Sequence, residues 1–103
     1  MLYFVHIETR IPPDMPDETK DDLRRRELER ACELLGNRKL QHIWRVVGKV
    51  GSFSVWNAAG HEELHALLQS MPYFPYMHIS VTPITKHPAE ELYGQKIDRT
   101  LGE

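Results

Sequence analysis

Glu27 is the residue whose neighbours give it the most chemistry. Residues 17–35 read as a helix of good formers, and at 100° per residue Leu23, Leu28, Ala31, Cys32, Leu34 and Leu35 fall in one half-circle. Glu27 falls inside that arc, one turn after Leu23 and one turn before Ala31. A carboxylate aimed at apolar neighbours loses hydration, its pKa rises, and it becomes a useful proton acceptor. Arg24 shares the arc, so a surface ion pair with Glu27 three residues on is the other reading of the same pattern. Arg45 is the second candidate, because it follows Trp44 inside a β run, where a cation is rare unless paired or facing a ligand. It suits a substrate carboxylate or an acidic partner equally well.

Other chemistry is weaker. His61 and His65 stand at i, i+4, and with Glu62 they write His-Glu-Glu-Leu-His, a match to H-E-x-x-H. A zinc protease needs a third ligand and a large two-lobed cleft that so small a chain does not supply, so no metal is expected. Cys32 is the only cysteine, which excludes an internal disulfide, a multi-cysteine zinc site and a CxxC pair. It reads as a small apolar helix residue. No glycine-flanked nucleophilic serine and no Gly-rich phosphate loop is present. Arg24, Arg25 and Arg26 are diluted by Glu27, Glu29 and Glu33 and read as a solvated helix face.

The elements that must position these groups follow from pattern. Residues 2–11 are rich in aromatic and β-branched types and form a strand, ended by Pro12-Pro13. Asp17 serves as N-cap of the first helix, which stops at Gly36-Asn37. Residues 40–47 and 52–57 are two strands joined around Gly48–Gly51 as a hairpin. Gly60 opens a second helix, with Glu62 and Glu63 in its first turn, Leu64, Leu67, Leu68 and Met71 on one side, and Pro72 as its stop. Residues 76–82 form a fourth strand. The order β-α-β-β-α-β predicts an α+β, ferredoxin-like sandwich: a four-stranded antiparallel sheet with both helices on one face. The domain spans 1–87, and 88–103 is a C-terminal tail with room for a short helical turn.

Two helices cover one face only. Period-2 reading puts Tyr3, Val5 and Ile7 on one side of strand one, with Leu2, Phe4, His6 and Glu8 on the other. Strand two splits Ile43, Arg45 and Val47 from His42, Trp44 and Val46, and strand three splits Phe53 and Val55 from Ser54 and Trp56. Both faces therefore carry large apolar groups, and self-association is the expected cover, with a pocket between subunits its natural product. The tail lying over that face is the alternative.

Composition bounds the rest. At 103 residues with 41% hydrophobic and 27% charged residues, the chain is one ordinary globular domain, able to bury about 60–65% of its unfolded surface. A net charge of −2 attracts no phosphate backbone in general, and no apolar run approaches the ~20 residues of a membrane span. Residues 52–56 lack the basic, paired-aromatic pattern of RNA-binding sheets. No nucleic acid and no membrane is expected as a partner, and the start lacks secretory-signal features, so the expected location is cytoplasmic.

Met1-Leu2-Tyr3-Phe4-Val5, Ile11-Pro12-Pro13-Asp14-Met15, His42-Ile43-Trp44-Arg45-Val46-Val47-Gly48 and Met71-Pro72-Tyr73-Phe74-Pro75-Tyr76-Met77, with the later His87-Pro88, resemble the muconolactone Δ-isomerases from residue 1 to about 88. HxWRxxG followed by PxFPYM at this spacing is the specific part. The resemblance implies a ferredoxin-like homo-oligomer, a decamer, that needs no cofactor. It further implies a ring double-bond shift in the catechol branch of the β-ketoadipate pathway, turning (+)-muconolactone into 3-oxoadipate enol-lactone. Glu27 coincides with a family glutamate proposed as the base, and Arg45 lies in the matching HxWR segment. His42, Trp44, Phe74 and Tyr76 match family positions that serve assembly or catalysis. After the shared glycine this chain departs, with Lys49-Val50-Gly51-Ser52-Phe53-Ser54 where better-known members have His-Tyr-Ala-Asn-Tyr-Ser. Lys49 replaces a cationic contact, and Lys49, Ser52 and Ser54 join Arg45 as the expected substrate-binding set. That departure keeps two alternatives open: turnover of a chloro- or methyl-substituted muconolactone, including dehalogenation, and a non-catalytic oligomer that binds a small ligand.

Overall fold

The computed structural model describes residues 1–94. Strand β1 (Leu2–Thr9) is followed by helix α1 (Asp17–Gly36), strands β2 (Leu40–Arg45) and β3 (Gly51–Asn57), helix α2 (His61–Gln69), a 3₁₀ turn (Phe74–Tyr76), strand β4 (Met77–Ile84) and a short helix α3 (Pro88–Gly94). The sheet order is β2-β3-β1-β4, antiparallel throughout. This is the expected ferredoxin-like α+β sandwich. α3 occupies the start of the segment read as a tail, and the rest of that segment lies outside the described residues.

The core forms where the alternation of β1 requires it. Tyr3, Val5 and Ile7 are buried and pack with Leu34 of α1, Leu64 and Leu68 of α2, Leu40, Trp56, Ala58 and Met71. Trp56 lies opposite Tyr3 in the β1–β3 ladder and opposite Leu40 in the β2–β3 ladder, so the indole closes the layer from the centre of the sheet. The other face carries Phe4 and His6 against Phe53, at ring-centroid distances of 5.4 and 4.7 Å, and His42 stacked on Trp44. Trp44 is 52% exposed there.

Several boundaries move. β2 ends at Arg45, two residues early, because Val46–Lys49 turns, with Lys49 N–H donating to Val46 O at 3.3 Å and Gly48 at φ 81°. β1 ends at Thr9, two residues before the expected limit, while β4 runs to Ile84 and begins after the 3₁₀ turn. Asp17 is the first helical residue of α1, not its cap; Pro16 precedes it, with no side-chain cap bond. The half-circle on α1 is buried only at Leu23 and Leu34. Leu28 is 59% exposed and Cys32 is also exposed, because one sheet edge cannot cover an arc that wide.

At Gly51 the backbone of β1 leaves no room for a side chain. A Cβ placed there would lie 2.5 Å from the carbonyl oxygen of Ile7, a backbone atom that cannot swing aside. Gly51→Ala is therefore expected to cost about 1–3 kcal/mol through overpacking at the start of β3, read as a lower urea midpoint. A midpoint equal to that of the parent would mean that β1 and β3 separate freely at this end.

Candidate active site

Glu27 lies midway along α1 and is half-buried. α2 stops before Pro72, the chain turns through Tyr73 (φ −78°, ψ −3°), and the Tyr73 backbone N–H donates to Glu27 Oε1 at 2.8 Å. Burial pushes the Glu27 carboxyl above its ordinary value of 4.5, and the hydrogen bond from Tyr73 offsets part of that rise. The Tyr73 phenol is also pushed up, first by burial and then by the Glu27 charge, while Arg24 pulls it the other way. It stays protonated at neutral pH and is available as a donor. The Arg24–Glu27 surface pair is not formed. The ion pairs of α1 are Asp22–Arg25, Asp22–Arg26, Arg25–Glu29 and Arg30–Glu33, so Arg25 and Arg26 of the basic run are paired along an exposed helix face.

Strand register gathers the other candidates at one end of the sheet. Arg45 pairs with Ser52, which pairs with Ile7. At the same end Thr9 N–H donates to Val50 O at 3.0 Å and Arg10 N–H to Tyr76 O at 2.8 Å. The β2–β3 turn with Lys49, the end of β1 and the 73–76 segment that holds Glu27 are thus neighbours. Strand alternation puts Arg45 and Ser52 on the helix-covered side. Arg45 and Lys49 are exposed, and among the described residues neither forms an ion pair.

Ser54 is a correction. Its side chain is fully buried, its hydroxyl donates to Val5 O at 3.3 Å and accepts the Trp56 Nε1–H at 2.9 Å, and it offers nothing to a ligand. Its period-2 position on strand three carries it under the helices beside Trp56. Ser54→Ala is expected to cost about 1–3 kcal/mol, because a buried indole N–H loses its acceptor, with KM for any substrate unchanged. A raised KM at parental stability would return Ser54 to the binding set.

The His-Glu-Glu-Leu-His string stands at the start of α2, where His61 Nδ1 is hydrogen-bonded to the Tyr3 hydroxyl at 2.8 Å and the His65 ring meets Phe74 edge-on. Among the described residues no group of three His, Cys, Asp or Glu side chains is placed to hold a metal ion. Tyr73 is the functional neighbour that residue-type reasoning missed. Its amide is a backbone donor, and only its place in the PxFPYM string, just after a helix-stopping proline, marked it.

The family model for muconolactone delta-isomerase matches residues 1–90. The chain belongs to the muconolactone Δ-isomerase family. It is 44% identical over 89 residues to the muconolactone Δ-isomerase of Cupriavidus pinatubonensis, covering 86% of this chain and 97% of that one. Muconolactone Δ-isomerase 1 of Acinetobacter lwoffii is 39% identical over the same length and is covered to 93%. The crystal structure of a muconolactone isomerase superposes with a TM-score of 0.81 at 34% identity, covering 86% of this chain and 93% of that one. A 5-chloro-2-hydroxyhydroquinone dehydrochlorinase of Burkholderia phenoliruptrix, at TM-score 0.65 and 18% identity, shares the fold. In this member of the muconolactone Δ-isomerase family the Glu27-bearing helix meets the turn of the PxFPYM segment through the Tyr73 N–H.

Proposed function

We propose that the protein isomerises (+)-muconolactone to 3-oxoadipate enol-lactone, with Glu27 as the general base. The observation that carries this reading is a half-buried carboxylate of raised pKa held by one neutral donor, the Tyr73 N–H. Glu27 removes the ring C4 proton, charge spreads through a dienolate to the lactone carbonyl oxygen, and the proton returns at C2, leaving the double bond between C3 and C4. The Tyr73 phenol is suited to donate to the charged lactone oxygen, and Arg45 or Lys49 to hold the side-chain carboxylate, with Ser52 beside them. No step calls on a cofactor.

The exposed aromatic face around Phe4, Trp44 and Phe53 supports a homo-oligomer, and we infer a decamer, as the family resemblance implies, with its pocket completed between subunits. Among the described residues no helix is long and apolar enough to cross a membrane, and we place the enzyme in the cytoplasm.

The test is proton NMR of muconolactone in D₂O with catalytic protein. Enol-lactone should appear, with deuterium at C2 in proportion to exchange of the carried proton with solvent before it returns, and kcat/KM should rise with pH through an acid limb above the ordinary carboxylate value, since only ionised Glu27 accepts the proton. An unchanged substrate would refute the assignment. Because Val50 and Ser52 stand where the family pattern has Tyr and Asn, the same experiment includes chloro- and methyl-substituted lactones, and turnover confined to those would move the substrate to that class.

A further inference from the structure

Glu27 and Arg30 stand one turn apart on α1, and both reach the same four residues, 70–73, that lead from α2 toward β4. Tyr73 N–H donates to Glu27 Oε1 at 2.8 Å. Arg30 Nε donates to Ser70 Oγ at 3.0 Å, and the Ser70 hydroxyl donates to Leu67 O at 2.6 Å. The segment is itself stiff, with Met71 N–H bonded to Leu68 O at 3.1 Å, Phe74 N–H to Met71 O at 2.9 Å and Tyr76 N–H to Tyr73 O at 2.8 Å. Among the described residues Glu27 Oε2 has no hydrogen-bond partner. One carboxylate oxygen is held and the other is free.

We propose that segment 70–73 is the positioning element of the base: the Tyr73 N–H holds Glu27 Oε1, Oε2 takes and returns the proton, and the Arg30–Ser70 bond keeps that N–H in place. This rests on Glu27 being the base. A carboxylate with two unheld oxygens rotates about its terminal bond, and each misaligned rotamer removes it from attack geometry. A neutral amide suits the task better than a lysine or arginine would, because it fixes the oxygen while depressing basicity less than a full charge does. Arg30 and Ser70 are positioning residues that act through Tyr73 and touch no substrate.

Replacing Tyr73 by its α-hydroxy acid turns the amide into an ester and deletes the N–H alone. Turnover on the pH plateau is expected to fall roughly tenfold or more, with the acid limb of kcat/KM displaced to higher pH. Arg30→Ala and Ser70→Ala should move both quantities the same way by less, Arg30→Lys should recover part of the loss, and Asp22→Asn, on the exposed side of α1, should change neither. The Glu27 carboxyl, followed by ¹³C NMR, should titrate at higher pH in the ester protein whether or not substrate turns over. An ester protein with parental titration and turnover overturns the proposal. A displaced titration together with undiminished turnover by Glu27→Gln would keep the hydrogen bond and remove the base.

Discussion

Glu27→Gln should lower muconolactone turnover by ~10²-fold or more while leaving the circular dichroism spectrum unchanged. Glutamine keeps an oxygen for the Tyr73 N–H, so the turn that meets α1 has no reason to move. What disappears is the capacity to accept a proton. The stability change separates this outcome from misfolding. Burial raises the carboxyl pKa in the folded state above its unfolded value, so the native state binds the proton more tightly than the unfolded chain. Stability is then lost as pH rises from the unfolded to the folded pKa, and the cost persists above it. An uncharged amide carries no such cost. Glu27→Gln should be at least as stable as the parent at pH 7, and any advantage should vanish at acid pH, where both side chains are neutral. Urea titrations at the two pH values check this, and parental turnover in the variant would take Glu27 out of the mechanism.

Trp56→Ala should remove about 3–5 kcal/mol of stability, a large share of the ~5–15 kcal/mol typical of a domain. Trp56 is 1% exposed, and on either side it meets Tyr3 and Leu40, both fixed in strands that cannot collapse into the vacated space. The loss also frees the Ser54 hydroxyl from the indole N–H. The expected signature is a sharply lower urea midpoint. A loss below about 1 kcal/mol would mean that the helices settle onto the sheet and close the cavity.

Pattern alone was a good guide wherever one chain supplies both sides of a contact. Tyr3, Val5 and Ile7 alternate cleanly because β1 is central and its ladder is unbroken on both edges. β2 was harder. The register shifts between Leu40 and His42, so Leu40 and Ile43 share a face although alternation from either one alone assigns the other wrongly. On α1 the arc was readable but its burial was not, since Leu28, Leu35 and Cys32 are apolar positions left exposed among the described residues. Glu27 could be singled out because a carboxylate within an apolar arc is a visible contradiction. Its partner could not, because a main-chain N–H looks the same under every side chain. Ser54 shows the reverse error: a hydroxyl in the segment that departs from the family pattern drew a binding role, and the register of β3 put it beneath the core.

The bond between Tyr73 and Glu27 joins residues 46 apart in sequence. α1 is held by neighbours a few residues away and can wind early in refolding, whereas this contact forms only once the end of α2 has docked on α1. The held carboxylate is therefore a late property of the chain, absent from any collapsed species that has regained its helices alone. In stopped-flow refolding, far-ultraviolet ellipticity should recover ahead of catalytic competence, and the lag between them times the closure of the whole domain.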